Sequence, residues 1–364
     1  RYDYISMTLN HISLVPHVFF GTNCKVVLEE LIASKRINYS APFIYLIEDA
    51  FEQNNTLLNL LPLAYDDKKY FIASSESNQA AYIDAITEQI ILDSKDKPQG
   101  VIAVGGSEVI QLGKAISAML SNPGSIRDYL SAPFVNPSVY KVGLPLISCA
   151  GTEVSNFFYV KDQESQVLLR DTNNTYNYLF YDYILSESFS LASHFMPSMQ
   201  SFINASVSLK SSENIISQSH VSTVKSLIKE VYLDHKEDHI NNHARLLSAS
   251  WYHGLLLLQY ETNIVEVLAS ALHFVTDISE NICMMLVYNK LGHLFKRDVS
   301  DFKSILKNNN FVLSTNVIKD LDSYELDLLI SQVYKNDAFW ESNTGKYWDN
   351  LLPKADILKL FKKL

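Results

Sequence analysis

The sequence predicts an α/β domain followed by an all-α domain, with the change of pattern near residue 180. Before that point, short apolar runs alternate with segments that have a helical period. After it, such runs are rare, and apolar residues recur every three or four positions in most segments. A strand–helix–strand–helix order is typical of a parallel sheet covered by helices. We therefore expect a Rossmann-like parallel-sheet domain at residues 1–180 and a C-terminal helical bundle domain at residues 181–364.

Five apolar runs of the first half are predicted strands. They are His17–Gly21, 43–47, 70–73, 101–104 and 139–144. Each run is bounded by polar or glycine-rich residues, as expected for strands that are buried on both faces. Two helices are predicted between them, at 82–91 and at 109–120, and the second stops before Asn122-Pro123-Gly124.

Eight helical segments are predicted in the second half. They are 187–208, 213–233, 242–260, 262–275, 280–295, 300–308, 323–335 and 354–363. Their connections are short and polar, which is typical of a bundle. We expect a cleft between the two domains, because small-molecule sites are common at such places.

The composition favours a folded protein of the cytoplasm. Of 364 residues, 47% are hydrophobic and 19% are charged, so the chain has enough apolar material for a core. Lys and Arg number 30 against 40 Asp and Glu, and the net charge of −10 disfavours nucleic acids and anionic membranes as partners. The three cysteines form no CxxC pair, and no apolar run approaches the ~20 residues that cross a bilayer.

A glycine turn after the fourth predicted strand is a candidate phosphate site. In VIAVGGSEVIQLGKAIS, Gly105, Gly106 and Ser107 separate a buried strand from a helix. Glycines allow close approach of the backbone, and free N–H groups at a helix start favour a phosphate. A turn that needs glycine for structural reasons would have the same residues, and Glu108 in the first helical turn competes with a bound anion. A second loop, SCAGTE, offers hydroxyl groups to phosphate or ribose oxygens.

These two loops, followed by a helical half, resemble the iron-containing (group III) alcohol dehydrogenase family, in a superfamily with dehydroquinate synthase and glycerol dehydrogenase. The resemblance covers nearly the whole chain. The matching residues are Gly105, Gly106, Ser107 and Lys114 in the turn and its helix, Gly151, Thr152 and Glu153 in the second loop, and Asp182 after the last strand. The segments AISAMLSNPGS and LIKEVYLDHKED are most similar to the subgroup that oxidises the terminal hydroxyl of a 3-deoxy-octulosonate (Kdo 8-oxidase type).

The resemblance implies an oxidoreductase that acts on a sugar or polyol. In the family, NAD or NADP binds the N-terminal domain, and helices of the second domain hold Fe²⁺ or Zn²⁺. The metal ion polarises the substrate alkoxide while hydride passes to the nicotinamide. The resemblance assigns cofactor binding to Gly105, Gly106, Ser107, Lys114, Gly151 and Thr152. It also implies a homodimer.

The sequence departs from the family at the metal-ligand positions. The usual ligands are an Asp and a His four residues apart, which share one helical face, and two later His. Here the four positions hold Gln200, Asn204, Glu266 and Glu280. An alignment shifted by three residues replaces the two glutamates with Asn263 and Asp277. Neutral amides are poor ligands for Fe²⁺ or Zn²⁺, so we expect neither ion, and a Mg²⁺ or Mn²⁺ site stays open.

The sequence also departs from the family in the nucleotide-binding motif, and its histidines are the remaining candidate functional residues. Ser107 stands at the third glycine of the motif and Gln111 at its aspartate, which weakens the case for NAD or NADP. His273 is the best remaining candidate for a general base. The histidines of LDHKEDHINNH (His235, His239 and His243) are interpreted as part of a polar surface turn.

Three functions remain open at this point. The first is an oxidoreductase of the family, acting on a sugar or polyol without a transition metal. The second is a catalytically inactive homologue that serves as a binding or scaffold subunit, for example beside an active paralogue. The third is a lyase or cyclase of the dehydroquinate synthase type, which is the weakest because that activity also needs metal and nucleotide.

Overall fold

The computed structural model describes residues 14–36, 41–162, 165–208, 215–234, 239–259, 262–276, 278–295, 298–314, 317–319, 321–335, 339–341 and 353–364. The chain forms two compact units, Arg1–Phe189 with Gly254–Tyr260, and Ser190–His253 with Glu261–Leu364. The division at residue 180 stays a prediction, because the first unit also takes in residues from a helix far along the chain. Within the described part of the chain, no helix is both long and apolar enough to cross a membrane.

A parallel sheet forms the centre of the first unit. Its strands are β1 His17–Gly21, β2 Phe43–Glu48, β3 Lys68–Ile72, β4 Gly100–Gly105, β5 Tyr140–Pro145 and β8 Tyr178–Asp182. They form a six-stranded sheet in the order β1-β8-β5-β4-β2-β3, and each neighbouring pair is parallel. The strands β6 Phe157–Asp162 and β7 Ser165–Arg170 form a separate antiparallel hairpin. The predicted parallel sheet is confirmed, whereas the hairpin and the bounds of β8 were not predicted.

Helices cover both faces of this sheet. They are α1 Lys25–Arg36, α2 Asn55–Leu60, α3 Ala80–Asp93, α4 Ser107–Met119 and α5 Tyr183–Ser186. On one face, Tyr45 and Ile102 pack in a core cluster with Leu28 of α1. On the other face, α4 lies so close to β4 that a Cβ on Gly113 would be 2.7 Å from the Cβ of Ala103. Burial on both faces explains why β2 and β4 are continuous apolar runs.

The second unit is helical, as predicted. Its helices, one of which continues into the first unit, are α6 Phe195–Ser208, α7 Ile215–Tyr232, α8 His239–Leu257, α9 Ile264–Thr276, α10 Glu280–Leu291, α11 Ser300–Asn308, α12 Ser323–Tyr334 and α13 Lys354–Phe361. The largest boundary error is at α6, which was predicted from residue 187. A 3-10 turn, Leu191–His194, precedes this helix instead.

Candidate functional site

The glycine turn connects β4 to α4 at the carboxyl end of the sheet. Gly105 has a φ of 151°, and a Cβ there would lie 2.7 Å from Oε2 of Glu48. The N–H of Gly106 donates a hydrogen bond of 2.7 Å to the same carboxylate oxygen. A carboxylate therefore takes a main-chain donor at a helix start, the kind of donor that binds phosphates. Sequence reasoning missed Glu48, which ends β2, the neighbour of β4 in the sheet.

The predicted turn and the predicted small-residue loop meet through hydrogen bonds. Ser107 Oγ and Thr152 Oγ1 lie 2.8 Å apart, and Thr152 Oγ1 donates to the carbonyl of Cys149 at 2.8 Å. Gln111 donates to Ser107 Oγ at 3.1 Å. Its carbonyl oxygen accepts a 3.1 Å bond from the N–H of Tyr159. The structure thus brings Ser107 and Thr152 together, as a shared site requires, while their role in cofactor binding stays a prediction.

Lys114 is completely buried and holds the small-residue loop against α4. Its Nζ donates to the carbonyl oxygens of Thr152 (2.5 Å), Ser155 (2.6 Å) and Phe157 (3.2 Å). It also donates to Ser155 Oγ at 3.1 Å. Burial lowers the pKa of Lys114 to about 7, and nearby Glu153 acts against that shift. The cofactor role of this lysine stays a prediction, and its described hydrogen bonds all go to the loop.

Gly151 lies in the same loop, against helix α8. A Cβ on Gly254, in the part of α8 that belongs to the first unit, would lie 2.8 Å from the carbonyl oxygen of Gly151 and 2.4 Å from the Cβ of Val154. Only glycine permits this close approach of helix and loop. The predicted cofactor residue Gly151 is therefore fixed between the turn of its own loop and α8.

The metal-ligand positions of the sequence alignment lie on α6, α9 and α10 in the second unit. Asn204 is buried, and its Nδ2 donates to Oε1 of Glu266 at 2.7 Å. Its Oδ1 accepts a 3.0 Å bond from Nδ2 of Asn263. Oε2 of Glu266 accepts from Thr262 Oγ1 at 3.0 Å and from the N–H of Asn263 at 3.1 Å. We call these four residues, Asn204, Thr262, Asn263 and Glu266, the Asn204–Glu266 network.

The two amide groups have a defined orientation in this network. Oδ1 of Asn263 accepts from the N–H groups of Val265 and Glu266 at 3.0 and 3.1 Å, so its Nδ2 must face Asn204. Asn204 then presents its oxygen to Asn263 and its NH₂ group to Glu266. The residues of the two alternative alignments, Glu266 and Asn263, therefore both contact Asn204. Asp277, the other alternative, lies outside the described residues.

Glu266, Glu280 and His273 interact electrostatically beside the network. Burial raises the pKa of Glu266 to about 7, the donors of Thr262, Asn263 and Asn204 act against the shift, and Glu280 adds to it. Burial also raises the pKa of Glu280, and His273 acts against that rise. The ring of His273 is oriented by a 2.7 Å bond between Nδ1 and the carbonyl oxygen of Ile278. The role of His273 as a base stays a prediction.

Gln200 and His243 lie outside the Asn204–Glu266 network. Gln200 lies one turn before Asn204 on α6 and is half-buried. His243 was predicted in a surface turn, and this was wrong, because the residue is 3% exposed on α8. Its Nδ1 lies 3.1 Å from Nε2 of the buried His194. His235 lies outside the described residues.

Comparisons with known proteins show what this architecture is similar to. Residues 17–183 match the model of the family described as iron-containing alcohol dehydrogenase. A sulfoacetaldehyde reductase from Bifidobacterium kashiwanohense, solved in complex with NAD+, has a TM-score of 0.78 and 14% identity over 97% of this chain and 98% of its own. Residues 17–183 are therefore similar to the iron-containing alcohol dehydrogenase family, and the whole chain shares the fold of this solved structure.

Further solved structures show that the similarity of fold extends over the whole length. An alcohol dehydrogenase from Oenococcus oeni has a TM-score of 0.76 and 16% identity, covering 97% of this chain and 99% of its own. An iron-containing alcohol dehydrogenase from Thermococcus thioreducens has a TM-score of 0.76 and 12% identity, covering 97% and 100%. The predicted resemblance to this family is thus confirmed, and the octulosonate-oxidising subgroup stays a prediction.

The four aligned positions hold two amides and two carboxylates, not the Asp and three His that the resemblance implies for an iron or zinc site. Among the described residues, no three or more His, Cys, Asp or Glu side chains form a group that could hold a metal ion. At the aligned positions, the NH₂ group of Asn204 donates to the oxygen of Glu266 that a cation would need. An amide NH₂ has no lone pair to offer a metal ion, and its partial positive charge repels one. The expectation that the protein holds neither iron nor zinc stays a prediction.

Proposed function

We propose that this protein does not oxidise alcohols with a metal ion and acts instead as a binding or scaffold subunit. The observation that supports the proposal is the Asn204–Glu266 network at the aligned ligand positions. Each oxygen of the Glu266 carboxylate already accepts a hydrogen bond from the protein, so its capacity to bind a cation is reduced.

The chemistry of hydride transfer supports the same conclusion. Oxidation of an alcohol develops negative charge on the substrate oxygen, and catalysis needs a cation or hydrogen-bond donor aimed at that oxygen. Here two glutamates, Glu266 and Glu280, interact at the aligned positions. Neither side chain carries a positive charge in any protonation state, so neither can stabilise the alkoxide as the family's metal ion does.

The partner of such a subunit is a protein of the same fold. We propose a homodimer or a pair with an active paralogue, because the family architecture is retained across nearly the whole chain. The net charge of −10 makes a nucleic acid or an anionic membrane a poor partner.

Metal loading tests the proposal directly. The wild-type protein and the variant Gln200→Asp/Asn204→His/Glu266→His/Glu280→His would be incubated with Fe²⁺, Zn²⁺, Mg²⁺ or Mn²⁺, desalted and measured by mass spectrometry and calorimetry. We expect no retained metal in the wild type, and about one Fe²⁺ or Zn²⁺ per chain in the variant, which regains an Asp and three His.

Two results would contradict the proposal. Stoichiometric iron or zinc in the wild type, with NAD- or NADP-dependent alcohol oxidation, would establish a metal enzyme. Saturable Mg²⁺ or Mn²⁺ binding by the wild type would show that the network opens to a hard cation, the alternative that the sequence leaves open.

A metal-free oxidoreductase is the second candidate, and the state of Glu266 favours it. A carboxyl group with a pKa of about 7 can accept and return a proton near neutral pH, and His273 lies within electrostatic range of neighbouring Glu280. The ionised forms of Glu266 and Glu280 repel a sugar acid, so this candidate takes a neutral sugar or polyol.

Turnover in the presence of a chelator distinguishes the two candidates. NAD+ and NADP+ would each be mixed with neutral polyols, neutral sugars and a 3-deoxy-octulosonate, and reduced cofactor followed by absorbance. The second candidate predicts turnover of a neutral substrate with an apparent pKa near 7 that Glu266→Gln abolishes. A wild-type protein without turnover on any of them would eliminate it.

A further inference from the structure

The glycine turn has a feature that the family resemblance does not account for. Gly106 is the N-cap residue of α4, and its N–H donates to a side chain from another strand, the carboxylate of Glu48, at 2.7 Å. Bonds between an N–H and a carboxylate are charge-assisted and stronger than neutral ones. We infer that Glu48 is an internal anion that closes the phosphate position of this turn, so that a dinucleotide binds only when Glu48 is displaced.

The space around the two glycines supports this inference. A Cβ on Gly105 would lie 2.7 Å from Oε2 and 2.9 Å from Cβ of Glu48. A Cβ on Gly106 would lie 2.9 Å from Cδ1 of Ile147. In a phosphate-binding turn, the room that glycine leaves is taken by the phosphate. Here the carboxylate of Glu48 takes part of that room, in the place that a phosphate oxygen would need.

Charge reinforces the steric argument. Glu108 lies in the first turn of α4, so its carboxylate and that of Glu48 are both close to the helix start. Desolvation by surrounding protein atoms raises the pKa of Glu108, and a backbone hydrogen bond acts against that rise. In their ionised forms both side chains repel a phosphate that approaches the same donors. The nearby hydroxyl groups of Ser107 and Thr152 already share a hydrogen bond.

The side chain of Glu48 can be moved or replaced at little structural cost. It is the last residue of β2 and is half-buried, so a change there leaves the interior of the sheet intact. Glutamine keeps its size and removes the charge, while alanine also removes the carboxylate group that lies against Gly105 and Gly106. Glu48 and the turn both belong to the first unit, so their effect on a dinucleotide is independent of the proposed loss of the metal ion.

Dinucleotide titration of single variants tests the inference. NADH and NADPH would be titrated into wild type, Glu48→Gln, Glu48→Ala and the control Glu52→Ala, which removes an exposed glutamate four residues later. Binding would be followed by NADH fluorescence and calorimetry. We expect Glu48→Ala to bind NADH roughly tenfold more tightly than wild type or better, Glu48→Gln to lie between them, and Glu52→Ala to match wild type.

The opposite results would overturn the inference. Equal or weaker NADH binding by both Glu48 variants would show that Glu48 does not exclude the dinucleotide, and a clear loss would show that it contacts the nucleotide itself, as acidic residues at a ribose do. Thermal melting would check the fold of each variant. If Glu48→Ala fails to fold, the isosteric variant Glu48→Gln tests the inference instead. Tighter NADH binding than wild type would support it, and unchanged binding would overturn it.

Discussion

In both the glycine turn of the first unit and the Asn204–Glu266 network of the second unit, a side chain of the protein occupies a group that could bind a ligand. The two side chains are of opposite electrical character. At the turn, a carboxylate takes the N–H donor that suits a phosphate. In the network, an amide NH₂ group takes the carboxylate oxygen that suits a cation. Glu48 is thus an anion where the resemblance implies a phosphate, and the NH₂ group of Asn204 is a partial positive charge where it implies a metal ion.

The two regions differ in how firmly that side chain is held. Glu48 ends a strand and is half-buried, so water can replace its bond to Gly106 at a smaller desolvation cost. Asn204 is 1% exposed and is bonded at both ends of its amide. Opening the network means breaking several buried hydrogen bonds at once, each with a desolvation penalty. We therefore expect one substitution to restore anion binding at the turn, whereas a metal site needs four.

The largest effect is expected at Lys114, on which the rigidity of the turn region depends. Lys114→Met removes the ammonium group and leaves three buried carbonyl oxygens without this donor. Ser155 Oγ can still donate to one of these oxygens, which leaves about two unpaired. Unpaired buried polar groups cost about 1–3 kcal/mol each, so the free energy of unfolding should fall by more than ~2 kcal/mol. Urea denaturation followed by circular dichroism would measure it.

Lys161→Met is the matched control, because Lys161 is exposed on β6. It should change the free energy of unfolding by less than ~0.5 kcal/mol. If Lys114→Met were equally mild, the loop that carries Gly151 and Thr152 would not depend on the lysine, and the turn region would be the less rigid of the two.

A smaller loss of stability is expected when hydrogen bonds of the Asn204–Glu266 network are removed. Asn204→Ala removes both bonds of the amide, leaving Glu266 Oε1 and Asn263 Nδ2 without that partner. We expect a loss of about 2 kcal/mol in the free energy of unfolding, measured by urea denaturation. The control Asn308→Ala changes an exposed asparagine at the end of α11 and should be close to wild type. A stable Asn204→Ala protein would mean that the network is replaced by water without penalty, and the comparison between the two regions would fail.

Local patterns predict much of the fold, and spatial neighbours explain what was missed. The strands β2, β4 and β5 were predicted because burial on both faces makes them continuous apolar runs, and β1, at the edge of the sheet, was predicted from its run of valine and phenylalanine. The strand β8, with the sequence YLFYD, lies inside the sheet between β1 and β5, but tyrosines and flanking asparagines dilute its apolar signal. The hairpin was missed although FFYVKD is rich in residues that favour strands.

The candidate site depends even more on neighbours that sequence does not reveal. Glu48 meets Gly106 because β2 and β4 are adjacent, and that order cannot be read from the chain. His243 is buried, and its ring contacts the ring of His194, which lies 49 residues earlier. Sequence alignment left Glu266 and Asn263 as alternatives, yet they are one turn apart on the chain and both contact Asn204. The sequence therefore places these candidate positions on their helices, while the network that joins them needed the structure.

The smallest effect is expected from the titration of Glu266. Its pKa is about 7 in the folded protein and near the ordinary 4.5 in the unfolded chain, chiefly because burial disfavours the charged form. Between these values the folded state binds more protons, so this contribution to stability is complete below pH 4.5 and is lost as pH rises through 7. Urea midpoints of wild type and Glu266→Gln between about pH 4.5 and about pH 8 would measure the effect, with Glu52→Gln as the exposed control. We expect Glu266→Gln to remove part of the fall in midpoint that wild type and Glu52→Gln share. Parallel curves for all three proteins would mean that Glu266 ionises at its ordinary pKa. The network would then be accessible to water and to cations, whereas the turn is closed to phosphate, and the two regions would no longer be alike.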